Sequence, residues 1–131
     1  MATPTVLVIE DDYDSRDMLC EWLRQHGYRC VGAVDGYDGL SCLEELPHLS
    51  LILLDLMMPG MSGRQFRTIQ RDHARHGRVP VVVLTAHANP YAESQSLDAQ
   101  DVLTKPLDLR ALLKVVRRYA GPPLQAATST P

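Results

Sequence analysis

The sequence predicts a doubly wound α/β domain built on a five-stranded parallel sheet with helices on both faces. Three short runs are continuously apolar instead of alternating with polar residues, which indicates strands buried on both sides. Segments of helical periodicity separate these runs, and repeated strand–helix alternation with right-handed crossovers gives a doubly wound sheet. A chain of 131 residues fits one domain. We expect it to occupy residues 1–120, with 121–131 a disordered tail or a truncated linker rich in Pro, Ala and Thr.

The five predicted strands differ in how apolar they are. The continuous runs are Val6–Ile9, Leu51–Leu54 and Val81–Leu84. The mixed segment Arg29–Val34 suits an edge strand, and Asp101–Thr104 is a short fifth candidate. A weak edge strand that comes second in the chain favours the flavodoxin-like strand order 2-1-3-4-5.

The predicted helices are recognised by apolar spacing and by their start and stop residues. Five are expected, at Asp14–His26, Gly36–Glu45, Ser62–His73, Pro90–Leu97 and Leu107–Tyr119. Asn89 and Pro90 supply an N-cap and a first helical residue for the fourth. That helix has little apolar content, so we expect it to be loosely held.

Composition excludes several classes of function. A net charge of −3 gives no basic face for nucleic acid, and no apolar run approaches the roughly 18 residues of a membrane span. The N-terminus lacks the basic and apolar regions of a signal peptide, which favours a cytoplasmic location. The cysteines at 20, 30 and 42 form no CxxC pattern and are predicted to be reduced, packed thiols. His73 and His76 lie in a polar segment and are predicted to be solvated, not metal ligands.

Chemistry-bearing residues follow four neighbouring strands of the predicted sheet. Because ligands of open parallel sheets bind at the carboxyl ends of the strands, these residues are expected to converge. They are Glu10, Asp11 and Asp12 after the first strand, Asp55 after the third, Thr85 and Ala86 after the fourth, and Lys105 and Pro106 after the fifth. Converging carboxylates repel unless they are protonated or share a cation, and an all-oxygen site that also takes a phosphate suits Mg²⁺.

This combination favours phosphoryl transfer to a carboxylate. Mg²⁺, an ammonium and a hydroxyl can neutralise and position a phosphoryl group, and one carboxylate is then the nucleophile. Asp55 is the best candidate because it ends the central strand and stands alone there. A simpler interpretation is that the acids only cap helices; this explains Asp12 and Asp35 but not the convergence with Thr85 and Lys105.

Four short motifs resemble those of bacterial response-regulator receiver domains, of the kind found in chemotaxis regulators. They are the acidic run Val6–Asp12, the phosphoacceptor run Asp55–Gly63, Leu84–Ala86 and Leu103–Pro106, and the resemblance extends from residue 5 to about 119. The resemblance implies a phosphoryl group accepted on Asp55 from a histidine kinase or phosphotransfer protein, without turnover of an external substrate.

The resemblance also implies roles for single residues. Glu10 and Asp11 form the acidic pair that holds Mg²⁺, and Asp11, Asp55 and the Met57 backbone carbonyl are its ligands. Lys105 is expected to precede a cis proline, Pro106. Thr85 and Ala86 move toward the phosphoryl group, and His87 is a possible tuning residue whose alternative is an exposed loop histidine without a role.

The output surface carries one departure from the family pattern. Family members usually have Tyr or Phe where this chain has Val102, so coupling between Thr85 and this position is altered. The switching surface comprises the fourth helix, the fifth strand and the fifth helix; it is also a possible homodimer face, through Leu107, Arg110, Arg117 and Arg118 with Asp101, although solvated charge is the simpler interpretation.

Three other classes fit the residues less well. A degenerate receiver that only docks proteins is the main alternative. A phosphatase with an aspartyl nucleophile needs a carboxylate where Met57 stands, and a flavin-binding domain needs a phosphate loop where the first acids stand.

Overall fold

The computed structural model describes residues 3–86 and 97–123 and contains the predicted sheet. All neighbouring strands are parallel, in the order β2-β1-β3-β4-β5, which confirms the predicted order. The strands are β1 Thr5–Ile9, β2 Arg29–Ala33, β3 Leu51–Asp55, β4 Val81–Thr85 and β5 Asp101–Thr104. Every residue of β1, β3 and β4 is buried, as their continuous apolar runs predicted.

Helices cover both faces of the sheet. Those in the described residues are α1 Tyr13–Gln25, α2 Gly36–Glu45, α3 Gly63–Arg71 and α4 Leu109–Ala120. Because successive strand side chains point to opposite faces, Val6 and Val8 pack in the apolar cluster that contains α1 and α4 residues. Leu7 and Ile9 pack in the cluster with α2 and α3 residues. The doubly wound architecture is therefore confirmed.

Capping side chains set the observed helix starts. Asp12 accepts a hydrogen bond from the Ser15 backbone N–H at 2.9 Å, so α1 begins at Tyr13. Ser62 and Gln65 form a capping box, which makes Ser62 the cap and not the first residue of α3. Asp108 likewise caps the last helix, which therefore begins at Leu109, two residues later than the predicted start. A cap has non-helical backbone angles, which apolar spacing does not reveal.

Parts of the sequence prediction lie outside the described residues. These are the Asn89–Pro90 cap, the helix predicted at 90–97 apart from Leu97, His87, and the tail from residue 124 onward. No helix in the two described stretches is long and apolar enough to cross a membrane.

The prediction that His73 and His76 are solvated is wrong. His76 is buried, with its Nε2 2.7 Å from the Leu46 carbonyl oxygen. His73 Nε2 lies 2.8 Å from a Glu44 carboxylate oxygen, and its Nδ1 accepts the backbone N–H of His76. Both imidazoles therefore bind the loop after α3 to the end of α2. Polar neighbours in sequence concealed this because a histidine can be buried where a carbonyl pairs with it.

A buried arginine joins α3 to the start of the β5 region. Arg67 donates from Nε to the Leu97 carbonyl oxygen at 3.2 Å and from Nη2 to the Asp98 carbonyl oxygen at 2.6 Å. Its Nη1 donates to the Gln70 side chain. Burial lowers the pKa of Arg67, yet the planar fork of donors fits this set of acceptors. Arg67 thus fixes the backbone at residues 97 and 98.

The end of α4 is attached near the beginning of β2. Tyr28, which is buried, donates its hydroxyl proton to the Gly121 carbonyl oxygen at 2.6 Å. Gly121 has φ +89°, a left-handed value that favours glycine at a helix end. This bond lies at the amino edge of the sheet.

Candidate functional site

Parallel strand ends bring the predicted site residues to one edge of the sheet. Asp55 ends β3 opposite Leu84, and Thr85 ends β4 opposite Thr104. The backbone N–H of Glu10 donates to the Ala33 carbonyl at 3.1 Å, and that of Lys105 donates to the Thr85 carbonyl at 2.8 Å. Hydrogen bonding thus continues one residue past β1 and one residue past β5, which fixes Glu10 and Lys105 beside the strand ends.

The acidic cluster consists of Glu10, Asp11 and Asp55. One carboxylate oxygen of each lies within 4.8 Å of the others. Glu10 is 1% exposed and Asp55 is 4% exposed, whereas Asp11 is exposed to solvent. Asp12 lies outside the cluster as the α1 cap, which agrees with the sequence interpretation.

Lys105 places its ammonium between the two buried carboxylates. Its Nζ lies 2.9 Å from Glu10 Oε1 and 3.6 Å from Asp55 Oδ1. The Lys105–Pro106 peptide bond is cis, which confirms the expectation from the family resemblance. The second Glu10 oxygen accepts the Asp12 backbone N–H at 3.1 Å. Both oxygens of Glu10 are therefore already hydrogen-bonded within the protein.

The two buried carboxyls have opposite pKa shifts. Burial, together with hydrogen bonding to Glu10 and repulsion from it, raises the pKa of Asp55 to about 6, against a smaller attraction from Lys105. Burial also raises the pKa of Glu10, but hydrogen bonds from Lys105 and from the Asp12 backbone outweigh it and lower the pKa overall. Glu10 is therefore the better stabilised carboxylate. The ionised form of Asp55 is destabilised unless a cation neutralises its charge.

The remaining predicted residues surround this cluster. Thr85 is completely buried, and Ala86 after it is exposed. The Met57 backbone N–H donates to Asp55 Oδ1 at 3.2 Å and orients that carboxylate, while the Met57 side chain is exposed. Val102 is partly buried and packs in a small cluster with Leu56, Val83 and Leu97.

Sequence reasoning missed one residue that supports the acidic loop. Arg16 donates from Nη1 to the Glu10 carbonyl oxygen at 2.7 Å, and the Asp11 carbonyl oxygen is 3.5 Å from the same nitrogen. Its guanidinium carbon lies 5.4 Å from the centre of the Tyr13 ring. A basic side chain one turn into a helix that follows an acidic loop was the available signal, but such residues are usually solvated.

The donor set fits Mg²⁺. The potential metal-ligand atoms that converge among the described residues of this cluster are all carboxylate oxygens, which hard divalent cations prefer. Because both Glu10 oxygens accept hydrogen bonds, the carboxylates of Asp11 and Asp55 are the suitable direct ligands.

Comparison with known proteins gives a consistent family assignment. The family model described as response regulator receiver domain matches residues 6–117. The phosphate regulon transcriptional regulatory protein PhoB of Klebsiella pneumoniae is 38% identical over 122 residues, which cover 89% of this chain and 53% of PhoB. This chain therefore spans about half the length of the curated relatives that it first matches.

Solved structures extend the same similarity to the fold. The chemotaxis protein CheY4 of Vibrio cholerae matches with a TM-score of 0.83 and 28% identity, over 90% of this chain and 99% of CheY4. The receiver domain of the sensor histidine kinase PA1611 from Pseudomonas aeruginosa PAO1 matches with a TM-score of 0.82 and 26% identity, over 92% and 99% of the two chains. That structure has a magnesium ion coordinated in its active site cleft.

Proposed function

We propose, because this chain belongs to the family of response regulator receiver domains, that it accepts a phosphoryl group on Asp55 and acts as a two-component signalling switch. The observation that carries the proposal is the position of Asp55, buried at the end of the central strand beside Lys105 and two further acids. The phosphoryl donor is a histidine kinase or a histidine phosphotransfer protein. In such a donor the phosphoryl group is bonded to a histidine imidazole, which is a good leaving group.

In the transfer step, an Asp55 carboxylate oxygen forms a bond to phosphorus while the phosphorus–nitrogen bond of the donor histidine breaks. The imidazole leaves with the electron pair and takes up a proton. The Met57 backbone N–H holds one Asp55 oxygen at 3.2 Å, which limits rotation of the nucleophile. Lys105 lies 3.6 Å from the same oxygen and supplies positive charge to the transferred phosphoryl oxygens. Attack of water on phosphorus later releases phosphate and restores Asp55.

We assign Mg²⁺ as the cofactor, held by Asp11, Asp55 and the Met57 backbone carbonyl, with Glu10 completing the acidic pocket. When bound, Mg²⁺ neutralises charge on the carboxylates and on the phosphoryl oxygens. Glu10 contributes through its hydrogen bonds, since it anchors Lys105 at 2.9 Å and the Asp12 backbone at 3.1 Å.

The switch begins when Thr85 and Ala86, at the end of β4, move toward the new phosphoryl group on Asp55. Val102, where family members usually have an aromatic ring, packs against the cluster that contains Leu97. The signal therefore passes through the backbone of the helix predicted at 90–97 and not through a ring that changes rotamer. Pro106 keeps Lys105 at the site. The output surface, and a homodimer face if one forms, comprises residues 90–97, β5 and α4. A coupling of about 1–3 kcal/mol between site and surface is sufficient.

The domain boundary and location are part of the same proposal. We place the receiver domain at 1–120 and a linker or tail at 121–131, supported by the family match to 117 and by the Gly121 helix end. A cytoplasmic location follows from the need for a kinase partner on the same side of the membrane.

Intact-mass spectrometry after incubation with a small-molecule phosphodonor tests the proposal. We expect one phosphoryl adduct on the wild type with Mg²⁺, and none with EDTA or on Asp55→Asn. Asp11→Asn removes a proposed Mg²⁺ ligand, so this variant should form no adduct even when Mg²⁺ is present. Asp12→Asn is the matched control, since it keeps the helix cap and should keep the adduct. If the folded wild type forms no adduct with this donor or with a phosphorylated histidine kinase, the chain is a phosphorylation-independent docking module.

A further inference from the structure

Two cysteine sulfurs meet on the face of the sheet covered by α1. The Sγ atoms of Cys20 on α1 and Cys30 on β2 lie 2.6 Å apart, and both residues are free thiols. A disulfide bond is about 2.05 Å long, so a shift of about half an ångström separates this pair from a covalent link. Both residues are buried, at 4% and 5% exposure, and neither belongs to the acidic site.

The third cysteine provides an internal comparison. Cys42 is also a free, buried thiol, but it packs in the apolar cluster on the opposite face of the sheet. Burial raises its pKa to about 11, so it is an unreactive thiol near neutral pH. Burial alone therefore does not explain a difference in reactivity between Cys20 and Cys42.

The surroundings of Cys20 favour its thiolate. A hydrogen bond from the Cys30 thiol lowers the pKa of Cys20 despite burial, with smaller contributions from the charges of Arg24 and Arg16. These arginines stand four residues after and before Cys20, so they lie on the same side of α1. Arg24 also donates to the Cys30 carbonyl oxygen at 2.9 Å, which holds the two elements together. The hydrogen bond to Cys20 and burial raise the pKa of Cys30, which leaves it as a thiol.

A small oxidant has a short path to Cys20. Gly32 lies exposed on the edge strand β2, and a Cβ atom added there would stand 3.5 Å from Cys20 Sγ. The two nearest atoms to that position are the flexible Cγ and Cδ of Arg16, at 3.1 Å. The sulfur therefore lies one atomic layer below an exposed glycine.

We propose that Cys20 and Cys30 are a reversible oxidation site, which hydrogen peroxide converts into an intramolecular disulfide between α1 and β2. The Cys20 thiolate attacks one peroxide oxygen, the oxygen–oxygen bond breaks, and the leaving hydroxide is protonated to water. The resulting Cys20 sulfenic acid is attacked by the Cys30 sulfur, which loses its proton, and the sulfur–oxygen bond breaks to release a second water. Two thiols are oxidised and one peroxide is reduced to two waters; a dithiol reductant reverses the change.

The disulfide would tie α1 to the edge strand. α1 carries the Asp12 cap and Arg16, and Arg16 holds the Glu10 carbonyl. The link is therefore placed to stiffen the helix that supports the acidic loop, independently of whether Asp55 is phosphorylated.

Peptide mapping of the oxidised wild type tests the proposal without any substitution. The reduced full chain is treated with a small excess of hydrogen peroxide, its fold is checked by circular dichroism, and remaining thiols are alkylated after unfolding. We expect a mass loss of two hydrogen atoms, one alkylated cysteine at position 42, and a Cys20–Cys30 cross-linked peptide that a dithiol reductant removes. Cys42→Ser should give the same mass loss, whereas Cys20→Ser and Cys30→Ser should not.

Three results would overturn the proposal. In the first, the folded wild type keeps three alkylatable thiols after peroxide treatment. In the second, the cross-link includes Cys42 or joins two chains, which size-exclusion chromatography separates from the intramolecular product. In the third, Cys20 is oxidised to the sulfinic acid while Cys30 stays free.

Discussion

Replacing Asp55 with asparagine is expected to stabilise the folded protein at neutral pH in the absence of divalent cations. The buried carboxylate lies in one cluster with Glu10, and burial and Glu10 together raise the pKa of Asp55 from 3.8 to about 6. The folded protein therefore binds this proton more tightly than the unfolded chain does. It follows that ionisation of Asp55 destabilises the fold as pH rises from about 4 to above 6.

The size of the effect follows from the shift. About two pKa units, at 1.36 kcal/mol each, correspond to at most about 3 kcal/mol above pH 7. Asparagine keeps a side-chain oxygen for the Met57 N–H but loses the attraction to Lys105, which reduces the gain. For a domain of this size, a gain of 2–3 kcal/mol raises Tm by roughly 10 °C.

Thermal unfolding in EDTA at pH 4 and pH 8 measures this effect. We expect the Tm of Asp55→Asn to exceed that of the wild type at pH 8. The difference should be small near pH 4, because Asp55 is then protonated in the folded protein and only partly ionised in the unfolded chain. Added Mg²⁺ should raise the Tm of the wild type and leave the variant nearly unchanged, because binding to the folded state alone stabilises it. Asp12→Asn, at an exposed cap, should not show the pH-dependent gain. An equal Tm difference at both pH values would refute the electrostatic reasoning.

Three further predictions concern stability and can be checked by urea unfolding. Arg67→Leu removes the hydrogen bonds to the Leu97 and Asp98 carbonyls and should cost about 2–4 kcal/mol. Arg71→Leu, at a half-exposed ion pair, should cost under about 1 kcal/mol, and equal losses would contradict the stabilising role of the Arg67 hydrogen bonds. Asp12→Ala removes the α1 cap and should cost about 1 kcal/mol, whereas Asp12→Asn should be near neutral. Gly39→Ala places a Cβ 2.7 Å from Ile9 Cδ1 and should cost about 1–3 kcal/mol of stability. An unchanged free energy of unfolding would mean that the Ile9 side chain moves aside without strain.

The strands and the acidic site were predictable because each rests on a local pattern plus one rule of sheet geometry. Unbroken apolar runs predicted β1, β3 and β4 to within one residue, since only strands buried on both faces need them. The carboxyl ends of parallel strands then had to bring Glu10, Asp55 and Lys105 together. Distances, and the sharing of Lys105 between the two acids, required the structure.

The contacts that sequence could not supply join side chains across elements. Arg67 and His76 are polar residues on apparently solvated segments, yet both are buried because backbone carbonyls from distant elements pair with them. The approach of Cys20 to Cys30 depends on how α1 lies over β2, which hydrophobic periodicity does not determine. In each case the partner is fixed by packing and not by spacing along the chain.

The bond between Tyr28 and Gly121 has a mechanical consequence for whatever follows the last helix. Tyr28 directly precedes β2, so this bond fixes the point of departure of the polypeptide at the amino edge of the sheet. The Asp55 carboxylate stands at the opposite edge, with the full length of the strands between them. Gly121 is therefore held at the edge of the sheet opposite the Asp55 carboxylate. A conformational change that begins at Asp55 therefore has to cross the length of the sheet before it reaches Gly121.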